Sequence, residues 1–325
     1  LVAGMGDGYT GFWADLDCGP GPVTAFRFDM DCNEVAECAE ESHRPVREGF
    51  ASRWPGLMHA CGHDGHAAVG LGLAEVLVSI RRHLRGRIRL IFQPAEEGAR
   101  GALPMSEAGA VDGVDVLFGF HIGFKAEGPG SLICGTQGFL ATTKRDVLFS
   151  GVPAHAGAAP EEGKDALLAA CSAVVNLHAI SRNGKGGTRI AVGRLEGGEA
   201  RNVIPASARL FMETRGETTE LDAYMTAESE RILRASADLW GCACEWRTVG
   251  NSAGGGSSPE LARLIATVAE AMGGWKTVIP MSGFGATEDF ACLMSRVQAS
   301  GGLASYLQVG TDRAAGHHSD RFDFD

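Results

Sequence analysis

Met58-His59-Ala60-Cys61-Gly62-His63-Asp64-Gly65-His66 crowds a thiol, three imidazoles and a carboxylate into nine residues. Each of these groups is a good ligand for a borderline-soft divalent cation, and the two glycines let the backbone fold the side chains inward. Cys61 and His63 are two apart, so on extended or turn backbone both can face one pocket. The small, apolar run from Ala67 to Leu77 reads as a helix leaving that pocket. A glycine-rich loop with incidental histidines is the plainer alternative, but so dense a cluster seldom arises from packing alone.

The strands around this stretch also end in charge. Strands are expected at Tyr9–Leu16 and Pro22–Phe28, joined by the turn Cys18-Gly19-Pro20-Gly21-Pro22. The second runs into Arg27-Phe28-Asp29-Met30-Asp31, and ligands collect at such strand ends in α/β sheets. Asp29 and Asp31 can orient a metal-bound His, or simply cap the loop that follows. Residues 34–55 read as a polar, irregular excursion. A helix is expected over about Asp64–His83, then a buried strand over Gly86–Phe92. That strand ends in Gln93-Pro94-Ala95-Glu96-Glu97-Gly98. Adjacent carboxylates in apolar surroundings need a compensating cation. Neighbouring side chains diverge, so one carboxylate can ligate while the other serves as general base; a solvated acidic turn is the alternative. The strand Val114–Phe120 is expected to deliver His121 at its end.

The pattern changes near Thr142. A strand (Lys144–Phe149), a helix (Lys164 to about Ile180), strands Arg189–Leu195 and Ala206–Thr214, a helix behind the cap Thr218 to about Leu239, and a strand Cys242–Thr248 follow. The order β-α-β-β-α-β is the ferredoxin-like split motif, expected as an inserted domain. After the linker Gly250–Ser258 come a helix (Pro259–Met272), a short strand near Thr277, a further helix and the strand Ala304–Val309. The expected division is catalytic domain 1–141, inserted domain 142–250 and catalytic domain 251–325. An N-terminal piece and a closing C-terminal helix are expected beyond these ends.

Composition narrows the function. With 325 residues there is room for two domains and a sizeable core. A formal net charge of −11 argues against nucleic acid and anionic membranes as partners. No run of about 18 apolar residues marks a membrane span. Nine cysteines, odd in number and never in paired CxxC arrays, fit reduced thiols in a cytoplasmic enzyme.

His59-Ala60-Cys61-Gly62-His63-Asp64-Gly65-His66, Pro94-Ala95-Glu96-Glu97-Gly98, His121-Ile122-Gly123, His155-Ala156-Gly157, Asn202-Val203-Ile204-Pro205, Glu288-Asp289-Phe290 and His318 follow one another in order. Together they resemble the signature of the M20 metallopeptidases, and within them the amidohydrolase subfamily D. Ser42-His43-Arg44-Pro45, Arg47 to Ser52, Ala141 to Lys144 and Gly316-His317-His318 with Phe322 to Asp325 resemble its aminobenzoyl-glutamate-utilising branch.

The resemblance implies an α/β catalytic domain of the zinc-peptidase type with an inserted ferredoxin-like lid that also dimerises. It implies two divalent metal ions per subunit, with manganese favoured and zinc open. By position, Cys61, His63, Glu97, His121 and His318 would be the ligands and Glu96 the general base. His155 would steady the oxyanion in the partner subunit's site, Arg201 and Asn202 would grip the substrate carboxylate, and Asp29, Asp64 and Glu288 would stand behind the ligands. The wider family places a His ligand two residues before Asp29. Arg27 stands there instead, so ligation passes to Cys61 and His63.

The implied reaction is hydrolysis of the amide bond of N-aroyl or N-acyl amino acids, p-aminobenzoyl-glutamate above all, in a homodimer or a heteromer with a paralogous subunit. Hydrolysis of hippurate or N-acetyl amino acids is the nearest alternative, and a non-catalytic binding subunit a further one. A thiol hydrolase built on Cys61 is disfavoured, since Glu96 and Glu97 would raise the pKa of its thiol.

Overall fold

The computed structural model describes residues 2–4 and 10–325, and the chain divides into two compact units. One comprises Leu1–Phe139 and Gly256–Asp325, the other Leu140–Gly255.

The first unit is built on an eight-stranded mixed sheet. In spatial order its strands are Val2–Gly4, Phe12–Asp17, Arg87–Gln93, Val23–Asp29, Val116–Glu127, Leu303–Thr311, Ser131–Ile133 and Thr277–Ile279. The central four run parallel, with Phe26 opposite Leu90 and Phe118, and Phe118 opposite Ser305. Parallel strands need cover on both faces, and Arg87–Gln93 is accordingly buried at every position after Arg87. Phe28, Leu77, Ile88, Leu90 and Phe92 form one core cluster beneath the helix His63–Ser79.

Several elements differ from the sequence expectation. Tyr9, where the first strand was expected to begin, lies outside the described residues; the strand is seen from Phe12 to Asp17. The helix expected to reach His83 stops at Ser79, and Arg81–His83 forms a separate 3₁₀ turn. The excursion 34–55 is not wholly irregular, for Pro45, with its preset φ, sits in the first turn of a short helix, Arg44–Glu48. A helix at Ala102–Glu107 and strands at Ser131–Ile133 and Thr136–Phe139 are additional. His121 is not at a strand end: its strand continues to Glu127. The strand bends just past it, where Gly123 and Phe124 take φ of +73° and +55° and the pairing slips between Val309 and Thr311.

The second unit is an antiparallel sheet in the order Ala243–Ser252, Ala141–Ser150, Ser207–Gly216, Thr188–Gly197. Helices Ala166–His178 and Thr219–Leu239 bury Ala169, Ala173, Met225 and Leu233 against Val147, Phe149 and Leu210. Their first turns are capped by Asp165, which accepts from the Leu168 N–H at 2.9 Å, and by Thr218, which accepts from Leu221 at 3.3 Å. Among the described residues no helix is long and apolar enough to cross a membrane.

Candidate metal centre

The nine-residue stretch turns sharply before it becomes helical. Gly62 adopts φ +88°, and an added Cβ there would stand 2.4 Å from the Ile122 side chain. Only glycine fits this turn. It leaves Cys61 buried on one side and starts the helix at His63 on the other. His63 and His66, three apart, share the buried helix face with Gly70 and Leu77. Asp64, one residue on from His63, is rotated about 100° away and is exposed. The expectation that Asp64 backs the ligands is therefore corrected.

Hydrogen bonding sorts the imidazoles. His66 is satisfied at both nitrogens, Nδ1 against Asp29 and Nε2 accepting from the Ile122 N–H at 3.1 Å. His63 donates Nδ1–H to the Asp31 carbonyl at 3.1 Å, which leaves Nε2 to face the site. That Nε2 is buried with no hydrogen-bond partner, yet lies 3.8 Å from Asp29, 3.9 Å from Glu97 and 4.0 Å from Glu96. Burial lowers the His63 pKa, but Asp29, Asp31 and Glu97 outweigh it and raise it to about 9. The site thus draws positive charge to this nitrogen, a proton where no metal ion is bound. His121 likewise donates Nδ1–H to the Ile122 carbonyl at 2.7 Å and points Nε2 at Cys61 Sγ, 3.4 Å away. His318 sets its Nε2 3.3 Å from Glu97.

Glu96 and Glu97 leave a tight turn in which Ala95 takes a left-handed φ of +56°. That conformation is strained for a non-glycine residue, and such strain gathers at functional sites. The two carboxylates share His63 as a neighbour and otherwise part, Glu97 toward Cys61 and His318 and Glu96 toward Glu288 and Asp289. The Glu96 and Glu97 oxygens lie 4.0 Å and 3.9 Å from His63 Nε2.

Beneath them lies a charge network at which the sequence only hints. Arg27, 1 % exposed, bonds Asp29, Glu288 (3.0 Å), Asp289 (3.1 Å) and Gln93 (2.8 Å). Tyr306 donates its hydroxyl to Glu288 at 2.5 Å. The available signal was an arginine between Phe26 and Phe28 in an otherwise apolar strand, since a charge buried there must be paired. Burial pushes the Asp29 carboxyl up, but Arg27, His66 and His63 together outweigh it and hold Asp29 well below the usual range. Asp31 bridges two loops, with one oxygen 3.3 Å from His63 Nδ1 and the other accepting the Glu97 N–H at 3.1 Å.

The donor set fits divalent cations. Cys61, His63 and His121 form one group of converging ligand atoms, Cys61, Glu97 and His318 a second, and His63, Glu96 and Glu97 a third. The groups share members, as two neighbouring ions would require. Without a cation the arrangement is costly. Glu97 Oε1 and His63 Nε2 are buried with no hydrogen-bond partner, and burial followed by Glu97 and Glu96 drives the Cys61 thiol far above its ordinary pKa. A cation removes both penalties. A thiol so raised is a poor nucleophile, which counts against the thiol-hydrolase alternative.

His155, Arg201 and Asn202 lie elsewhere, in the second unit, and are exposed. An antiparallel bridge joins His155 to Val203, and the Ala156 N–H donates to the Asn202 carbonyl at 3.0 Å, so the three share one loop pair. His155 Nδ1 accepts the N–H groups of Gly157 (3.2 Å) and Ala158 (3.1 Å), which puts the ring proton on Nε2.

Residues 25–325 match the peptidase family M20/M25/M40, and the chain belongs to it. It is 46 % identical over 98 % of its length to an indole-3-acetyl-aspartic acid hydrolase of Enterobacter agglomerans, covering 73 % of that protein. It is also 46 % identical to a p-aminobenzoyl-glutamate hydrolase subunit of Escherichia coli, over 100 % of this chain and 74 % of the other. The crystal structure of an aminobenzoyl-glutamate utilization protein from Klebsiella pneumoniae superposes with a TM-score of 0.78 at 39 % identity, over 93 % of this chain and 70 % of that one. A Bacillus subtilis protein described as a dinuclear metal-binding peptidase of the M20 family superposes with a TM-score of 0.67 at 27 % identity, over 97 % and 80 %. The chain is thus a hydrolase acting on amide bonds.

Proposed function

We propose that the protein hydrolyses the amide bond of N-aroyl and N-acyl amino acids, with p-aminobenzoyl-glutamate as leading substrate, using two divalent cations. The observation that carries this is His63 Nε2, a buried ring nitrogen that faces three carboxylates and has no hydrogen-bond partner. The names of two relatives at 46 % identity support the substrate class.

Cys61, His63, Glu97, His121 and His318 would hold the ions. Manganese is our preferred metal; the thiolate keeps zinc open. Bound there, the cations supply Lewis-acid activation of water and of the scissile carbonyl.

Glu96 does the proton work. Burial, then the neighbouring Glu288 and Asp289, raise its carboxyl well above the ordinary range, and a carboxyl beside the ligand atoms is placed for general acid–base work. It takes a proton from the attacking water as the water oxygen bonds to the carbonyl carbon. It then gives that proton to the amine nitrogen as the C–N bond breaks, so that acid and amine leave. Arg27, Asp29 and Glu288 brace this arrangement from below. In the second unit Arg201 can clasp a substrate carboxylate in bidentate fashion, with Asn202 beside it. The Nε2–H of His155 suits a developing oxyanion, in our reading that of the partner subunit. We further propose a cytoplasmic homodimer, or a heteromer with a paralogous subunit. Nine cysteines without a disulfide support the reducing compartment, and the Escherichia coli relative, named as one subunit of its hydrolase, supports the heteromer.

The test is incubation of the metal-loaded protein with a panel of N-acyl amino acids. Release of p-aminobenzoate from p-aminobenzoyl-glutamate, abolished by a chelator, is expected. No hydrolysis across the panel with both ions bound would leave the binding-subunit reading in its place. Sharing of the site is tested by mixing His155→Ala with Glu96→Gln subunits under exchange. Recovery of up to about a quarter of wild-type activity is expected from the one intact site in each mixed dimer.

A further inference from the structure

His317 has no part in the mechanism above, yet its ring lies against the ligand set. Its Nδ1 is 3.6 Å from Cys61 Sγ. The ring stacks on Phe124 at 4.5 Å between centroids and 16° between planes, and meets Phe322 at 5.0 Å. On its far side a Cβ at residue 123 would stand 2.9 Å from His317 Nε2, so the ring can occupy this place only because Gly123 is glycine. Next door, the His318 N–H donates to the Ala60 carbonyl at 2.7 Å and ties this loop to the Cys61 turn. The ring is thus held in one pose.

We infer that His317 is a positioning residue that donates Nδ1–H to the Cys61 sulfur and tunes it as a metal ligand. A ligating cysteine is a thiolate and has no proton to give, so the contact is a hydrogen bond only if His317 carries the proton on Nδ1. The other ring nitrogen beside the sulfur, His121 Nε2 at 3.4 Å, presents a lone pair and cannot donate, because the His121 proton is committed to the Ile122 carbonyl. A charge-assisted N–H···S bond stabilises the thiolate against its proton and draws electron density from it.

This inference rests on the reading of Cys61 as a ligand, and cobalt(II) separates the two. The full chain loaded with cobalt should show a sulfur-to-cobalt charge-transfer band in the near ultraviolet. His317→Phe keeps the stacking but has no donor; its band should move to longer wavelength and its cobalt affinity should fall by about 10-fold, the scale for partners of metal ligands. His317→Asn puts an amide N–H where Nδ1 was and should restore both. His317→Gln, whose amide falls nearer the Nε2 position, should behave like His317→Phe. Should the Phe variant not fold, the Asn and Gln pair still decides. A band unmoved in both the Phe and Gln variants at full cobalt occupancy overturns the inference alone. A wild-type protein that binds cobalt with no such band overturns the ligand reading, and the inference with it.

Discussion

Two regions of this chain bury carboxylates, and they satisfy them in opposite ways. In the second unit, Asp222 receives a hydroxyl hydrogen bond on each oxygen, from Thr214 and Thr143, both at 2.7 Å. Every atom it needs comes from its own sheet and helix, and it joins the strands to Thr219–Leu239. Around Cys61, by contrast, Glu97 Oε1 and His63 Nε2 are buried with no hydrogen-bond partner, 3.9 Å from each other. Buried polar groups are normally satisfied. A region that departs from this rule with several ligand-type atoms converging is arranged for something the chain does not supply. The lesson is that a buried carboxylate alone says little, and its unmet partners say most.

The sharpest way to break this contrast is to remove the guanidinium that the chain itself places beneath the metal centre. Arg27→Met removes the cation shared by Asp29, Glu288 and Asp289 and should cost about 3–5 kcal/mol in denaturant unfolding, the usual penalty for half of a buried ion pair. A loss under about 1 kcal/mol would mean that the network is not holding the strand ends together. Next in size is Glu96→Gln. Turnover should drop at least roughly 10²-fold, about 2.7 kcal/mol of barrier, while both ions stay bound. Normal turnover would reduce Glu96 to an acidic turn residue.

Cys61→Ser should weaken metal binding by about 10–100-fold without unfolding the second unit. Elemental analysis together with calorimetric titration reads it; unchanged stoichiometry and affinity would remove Cys61 from the ligand set. The mildest change sharpens the other side of the comparison. Thr218→Ala removes the cap of Thr219–Leu239 and should cost about 1 kcal/mol in thermal unfolding, with metal content untouched. If metal content fell with it, the helix that carries Asp222 would be coupled to the candidate metal centre after all.

Much of the fold was legible because its signals are local. Pro259–Met272 is marked by proline in its first turn and a strong apolar stripe, and the helix begins and ends where the pattern does. The strand–helix alternation from Ala141 to Ser252 follows from periodicity and caps within each segment. What misled was equally local. The apolar run at Val114–Phe120 gives no sign that hydrogen bonding carries the strand through a bend to Glu127, and a positive φ at Phe124 cannot be read from a phenylalanine.

The sequence by itself determined which residue types gather at the candidate metal centre: a thiol, imidazoles and paired carboxylates beside strand ends and turns, in an order that marks the family. Only the tertiary structure decided which of them are open to a ligand. His63 and His66 are alike on paper. Yet His66 is saturated by Asp29 and the Ile122 N–H while Nε2 of His63 has no hydrogen-bond partner, because the paired parallel strands set Asp29 and Ile122 beside His66. Arg27 meets Glu288 across 261 residues, and His317 meets Cys61 across 256. Spacing and periodicity are properties of a segment. Whether a polar atom is satisfied depends on every segment packed against it, and sheet order settles that.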